Sequence, residues 1–306
     1  MTESRHQRHE LRGKNRHEVY LQTWEPKKTV SGVIQVLHGL GEHSDRYARF
    51  AATANDRGYA VITHDHRGHG AQSGILGHFA DDDGWDLVIS DTLLVNEFAQ
   101  KRFPNAALTL LGHSMGSYIA EDFAMRQPQS IAALVLSAST WPSRAQLKIG
   151  RLLAGVEAWR LGRRGHSALL DKLGFGNFNK PFAPHRTDFD WLSRDEAEVD
   201  RYVADPLCGG PYTCRLWHDL LGGLLGISTS AAIMKIPAEL PILIMGGERD
   251  PVGGARGMAR LAERYRDTGH EHVTLTVYAD GRHEMLNETN RDEVMADLFE
   301  WIRRSV

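Results

Sequence analysis

Gly112-His113-Ser114-Met115-Gly116 constrains this chain more than any other stretch. Ahead of it runs the apolar segment 108–111 (LTLL), and behind it an amphipathic stretch reaches residue 127. The pattern predicts a buried strand, then a turn too sharp for side chains on either flank of Ser114, then a helix. Glycine fits both flanks because it carries no Cβ. A serine so placed projects its hydroxyl at the carboxyl end of a sheet, the arrangement called a nucleophile elbow. Five residues of this form are common by chance; the strand before and the helix after give them weight.

The same rhythm extends along the chain. Residues 18–24 (EVYLQTW) alternate apolar and polar, as a half-buried edge strand does. More continuously apolar runs at 32–38, 59–65, 131–138, 240–246 and 273–279 predict further strands. Helical spacing marks 47–57, which stops at Gly58, a residue suited to a helix C-terminus. It recurs at 255–265, at 293–302 and at 85–98, where Leu87, Val88, Leu94, Val95 and Phe98 form a stripe broken by Asp91. Apolar strands alternating with amphipathic helices predict an α/β fold, a mostly parallel central sheet with helices on both faces. The first dozen residues, charged and rich in histidine, are expected to be irregular; a metal-binding tail is the weaker reading.

After Ser139 the rhythm stops until about residue 236. Helical pieces at 144–161 and 212–234 flank the irregular stretch 174–193 (GFGNFNKPFAPHRTDFDWLS). So long an interruption predicts an inserted, mainly helical cap at 139–236 between two parts of one core, 1–138 and 237–306. Leu147, Ile149, Leu152, Leu153, Val156 and Trp159 read as ordinary packing residues, with some of them available to line an acyl-chain tunnel.

A serine hydroxyl is a poor nucleophile at neutral pH, so it needs a general base and an acid to hold that base in the right tautomer. In a fold of this kind the chain order is Ser, then Asp or Glu, then His. Asp250 follows the 240–246 strand through a short loop, and His283 follows the 273–279 strand, so both are expected on the rim that carries Ser114. Glu248 and Asp280 are the local rivals. Asp205 and Asp219 fall in the expected cap, away from the rigid sheet that must fix such a group. Acyl transfer also needs donors for the oxyanion: the backbone amide of Met115 is one candidate, and that of Leu40, between Gly39 and Gly41, is the other. His64, His66 and His69 invite comparison with a zinc motif, but Gly68 stands where that motif wants an acid, so Asp65, Arg67, Gly68, His69 and Gly70 read as a structural turn and no metal or cofactor is expected.

Charge adds exclusions. With 36 basic and 39 acidic residues the chain has a formal charge of −3, and no basic face invites nucleic acid. Cys208 and Cys214 are too few for a disulfide framework. The N-terminus lacks an apolar secretory core and no stretch approaches membrane-spanning length, which predicts a cytoplasmic protein without stable membrane insertion. Oligomeric state is left open.

Taken in order, HGLGEHSDRY, DHRGHGAQSG, GHSMGS and the Asp250 and His283 loops resemble the monoacylglycerol lipase and lysophospholipase branch of the serine α/β-hydrolases, which overlaps the serine aminopeptidase-like group. The resemblance runs from about residue 19 to 302. It implies an α/β-hydrolase fold, a triad of Ser114, Asp250 and His283, oxyanion amides at Leu40 and Met115, and a place for Glu42 and Arg46 near the polar head group of a monoglyceride; a structural ion pair is the other reading of those two. Leu40 takes a place usually held by a smaller residue in that family. The implied substrate is a small-molecule ester or lipid, with transient lipid-interface contact through the cap. Three alternatives stand beside it: a short-chain carboxylesterase, an aminopeptidase-like amide hydrolase and a silent hydrolase-fold binding module. A serine nucleophile excludes chemistry that requires an aspartate in its place.

Overall fold

The computed structural model describes residues 5–306. Eight strands form one sheet: β1 (Arg5–Arg12), β2 (Glu18–Glu25), β3 (Gly32–Leu37), β4 (Tyr59–His64), β5 (Leu108–His113), β6 (Ala133–Ser137), β7 (Ile242–Gly247) and β8 (Val273–Tyr278), in the spatial order β1-β2-β4-β3-β5-β6-β7-β8. The first two pairings in that order are antiparallel and the rest parallel. Successive residues of a strand face opposite ways, and here both faces are apolar. Val33, Ala60, Ile62, Leu110, Leu134 and Ile244 face one core, with residues of α2 (Gly84–Arg102), α3 (Met115–Arg126) and α9 (Gly254–Asp267). Ile34, Val61, Leu111, Val135 and Leu243 face the other, with α1 (Ala48–Asp56) and α10 (Arg291–Ser305). This is the α/β-hydrolase architecture expected from the sequence.

Two expectations fail at the sheet edge. From Arg5 the first residues are not irregular: they form β1, in register with β2 from Arg5↔Glu25 to Arg12↔Glu18, while residues 1–4 lie outside the described region. Consequently 18–24 is not an edge strand but an interior one, and its Trp24, Thr23 and Leu21 are buried. A charged edge strand is held by its hydrogen-bond ladder and by cross-strand pairs rather than by an apolar face. His6 stacks on Trp24 with 4.8 Å between ring centroids, and its Nε2 lies 2.8 Å from Gln22 Oε1. No apolar period announces such a strand.

Between β6 and β7 the chain adds α4 (Arg144–Leu161), α5 (Ala168–Phe175), α6 (Glu196–Ala204), α7 (Cys214–Ile227) and α8 (Ser230–Ile233) and no strand of the sheet. The single helix expected over 212–234 is divided: α7 ends at Ile227, and Thr229 caps α8 by accepting from the Ala232 amide at 3.1 Å. The apolar residues of α4 also depart from expectation. Leu147 is buried, but Ile149, Leu152, Val156 and Trp159 are 60, 70, 49 and 87 % exposed. They line no wall of the cavity beside Ser114; Leu152, Val156 and Trp159 instead border an open surface groove with His218 and Leu225 of α7. α4 lies on α7 by its opposite face, so its apolar residues are divided between two sides.

Candidate active site

Ser114 sits between β5 and α3 with φ +51° and ψ −118°, a conformation that L side chains rarely adopt. The backbone is held there from both sides: the Ser114 amide donates to the Ser137 carbonyl at 2.9 Å, and the Ser114 carbonyl accepts from the Ser117 amide and hydroxyl. A Cβ on Gly116 would collide with the Leu37 and His38 carbonyls, and one on Gly112 with the Gly116 carbonyl. Both flanking glycines are therefore required by close approach of backbone.

The strand ends deliver the other groups. Asp250 lies three residues past β7 and His283 five past β8, and the His283 Nδ1 is 2.9 Å from Asp250 Oδ1. Asp250 is fixed in turn by the Val252 amide, which donates to the same oxygen at 2.9 Å. The side chains of His283 and Asp250 are 4 and 2 % exposed, whereas Glu248 and Asp280 are exposed and bond to each other through the Asp280 amide. Burial alone would lower the His283 pKa, but the Asp250 carboxylate, by charge and hydrogen bond, together with Glu284 and Glu42, raises it above its ordinary value. His113, beside it with 4.9 Å between ring centroids, is driven the other way by burial and the His283 charge.

Leu40, Ser114 and His283 line one cavity of about 320 Å³. That is the lower end of the range for small-molecule sites. Its remaining wall is largely aromatic: Phe175, Phe178, Phe189, Trp191, Tyr202 and Tyr212, all from the segment between β6 and β7. Trp191 lies over the His283 ring at 4.9 Å, and its carbonyl accepts from the His283 amide at 3.3 Å. Met115 opens α3, where a first-turn amide has no carbonyl one turn earlier inside the helix to bond. Leu40 follows Gly39, whose amide is turned to Glu42 Oε1 at 2.6 Å.

Glu42 lines the cavity, while Arg46 is absent from its wall. The guanidinium grips Glu284 at 2.6 and 2.7 Å and Glu42 at 2.8 Å, and Tyr47 donates to Glu42 at 2.9 Å. Burial would raise the Glu42 pKa, but Arg46, with His113 and His38, brings it down to about 2. This buried network joins the loop after β3 to the loop of His283. Glu284 and the aromatic wall went unread in the sequence. The Arg46–Glu284 pair spans 238 positions with no local signal, but the crowding of four phenylalanines and a tryptophan into 174–193 was legible.

The three histidines of the zinc-like stretch lie elsewhere, in a cluster with His38: His66 and His69 lie against the His38 ring at 4.2 and 5.2 Å, His64 lies against His66 at 4.8 Å, and His38 Nε2 accepts from the His66 amide at 3.0 Å. Asp65 accepts from the Ser44 amide at 2.8 Å, and Arg67 forms a two-pronged pair with Asp91 at 2.6 and 3.1 Å. The acid that breaks the α2 stripe thus has a buried partner.

Sheet order, elbow and strand-end loops together define a hydrolase of the α/β fold. A family model described as serine aminopeptidase, S33, matches residues 28–290. The chain belongs to that family. It is 28% identical over 302 residues to a monoacylglycerol lipase of Mycolicibacterium smegmatis, covering 99% of both chains, and 27% identical over 293 residues to a monoglyceride lipase of Mus musculus, covering 94% of this chain and 88% of the other. Its structure resembles that of a thermostable carboxyl esterase from Bacillus coagulans in complex with glycerol, with a TM-score of 0.90, 26% identity and 98% of each chain covered.

Proposed function

We propose that the chain hydrolyses carboxylic esters of the monoacylglycerol or lysophospholipid type through an acyl-enzyme on Ser114. His283 takes the Ser114 proton as the hydroxyl attacks the ester carbonyl, and Asp250 holds the imidazole with its proton on Nδ1. The Leu40 and Met115 amides receive the oxyanion. His283 then protonates the leaving alcohol, and water activated by the same imidazole frees the acid. No cofactor is needed in this scheme. The observation that carries it is the buried His283–Asp250 pair, whose histidine stands on the cavity wall that also holds Ser114.

Residues 139–236 act in this reading as the cap that selects the substrate, since they supply the aromatic wall. A chamber of about 320 Å³ suits an acyl chain of modest length, which favours a short-chain carboxylesterase as the second reading. For an aminopeptidase-like hydrolase a carboxylate should await the amino group; Glu42 and Glu284 are engaged by Arg46 and Asp171 by the Trp217 indole, which leaves Asp188 on the cavity wall as the candidate for that reading. No helix among the described residues is long and apolar enough to cross a membrane. Lipid contact would fall to the exposed apolar residues of α4, and the free thiols of Cys208 and Cys214 suit a reducing, cytoplasmic setting.

The test is an acyl-chain series of p-nitrophenyl esters and monoacylglycerols, with aminoacyl amides alongside, on the native protein and Ser114→Ala. Loss of turnover by at least about 10³-fold in the variant is expected. Retained turnover would sink the nucleophile assignment; a preference for the shortest esters would move the reading to a general esterase.

A further inference from the structure

We propose that His43, Asp205 and Cys208 form a site for a thiophilic divalent cation of the zinc class, joining the loop after β3 to the segment between α6 and α7. Their donor atoms, a ring nitrogen, a carboxylate oxygen and a thiol sulfur, lie within 4.8 Å of one another. A tetrahedral zinc ion takes such a set at about 2.0–2.3 Å, and three protein ligands leave one position for water.

The donors are pre-positioned by the backbone. Asp205 Oδ1 accepts from the Leu207 amide at 2.9 Å, and the Asp205 carbonyl from the Cys208 amide at 3.0 Å, which fixes carboxylate and thiol on one turn. Two bonds to the Gly41 carbonyl, from the Gly209 amide at 2.9 Å and the Tyr202 hydroxyl at 2.8 Å, tie that turn to the loop carrying His43. His43 is buried, and its Nε2 already meets Asp205 Oδ2 at 2.8 Å. That contact alone would join the two segments; it gives no account of a thiol held beside it. Rigid supports of this kind are what a coordination site requires.

On binding, the thiol proton leaves to solvent as the metal–sulfur bond forms. The bound ion would link two walls of the cavity beside Ser114, because the loop after β3 carries Leu40 and Glu42 and the other segment carries Gly209, Pro211 and Tyr212.

Cobalt(II) titrated into the chelator-treated full chain at about pH 8 tests the site without reference to turnover. Expected are a thiolate-to-cobalt charge-transfer band saturating at one ion per chain, its displacement by zinc, and its loss in Cys208→Ala. Asp205→Asn should weaken binding by roughly 10–100-fold, the cost typical of disturbing a metal's ligand environment. Surface histidines give no such band, and the other thiol, Cys214, is fully buried in α7. Absence of the band, or its persistence in Cys208→Ala, overturns the proposal.

Discussion

At the scale of single residues, the site is built by contacts that leave no choice of side chain. Gly112 and Gly116 are closed in by backbone carbonyls, so a methyl group at either position would have to move a strand or a helix. Ser114 is different: space admits it, but its φ of +51° and ψ of −118° store strain of about 1–3 kcal/mol. Glycine adopts that conformation freely, so Ser114→Gly should unfold at higher denaturant than Ser114→Ala, by roughly 1 kcal/mol once the greater chain entropy of glycine is allowed for. Equal stability of the two variants in urea would mean that the turn is unstrained. The motif made the two glycines legible in sequence, because a sharp strand-to-helix turn has few chemical solutions. Arg46 was legible only as a residue of interest. Two readings of it were open, and the bidentate grip on Glu284, far away in the chain, engages its guanidinium in a buried ion pair.

Elements show where local pattern is a poor guide. The apolar residues of α4 have helical spacing, and the helix forms as expected, but Ile149, Leu152, Val156 and Trp159 face outward. Periodicity reports that a helix has an apolar stripe; it does not say whether protein or something else covers it. Arg144, Lys148, Arg151 and Arg160 share this helix with one acid, Glu157. A basic helix with exposed tryptophan and leucine suits the surface of an anionic bilayer. Co-sedimentation with vesicles containing phosphatidylglycerol should fall several-fold in Leu152→Ser/Trp159→Ser, with the melting temperature little changed because both side chains are largely exposed. Unaltered sedimentation would remove α4 from the lipid-contact reading. β1 teaches the converse: it has no apolar period, yet eight residues of it pair with β2.

For the whole molecule, the buried histidines set the response to acid. Burial, together with the mutual repulsion of neighbouring rings, lowers His38 to about 4, His64 and His69 to about 3, and His66 well below its ordinary value. Their unfolded-state values lie near 6.5. The folded state therefore binds fewer protons than the unfolded one, and the stability these groups contribute is complete above pH 6.5 and drains away as pH falls toward 4 to 3, by up to about 1.4 kcal/mol per pH unit for each histidine. Glu121, which burial raises to about 8 even though Tyr265 donates to it, has the opposite sign: its share is present below 4.5 and lost as pH rises through 8. Four histidines outweigh one carboxyl, so urea unfolding should show a steep fall in stability from pH 6.5 to 5, corresponding to an uptake of several protons. A flat profile over that window would show that the cluster is solvated. None of this could be read from the sequence, where His64, His66 and His69 are merely close together and His38 is a strand away. What the sequence determined by itself was whatever depends on neighbours along the chain: alternating strands and helices, the elbow, and strand-end loops carrying Asp250 and His283 on one rim of a parallel sheet. Tertiary structure alone decided which face of α4 meets water, that the polar N-terminal segment closes the sheet, that aromatic side chains from between β6 and β7 wall the cavity, and that Arg46 meets Glu284. Each of these depends on groups brought together through space, where burial and charge rather than periodicity set the outcome.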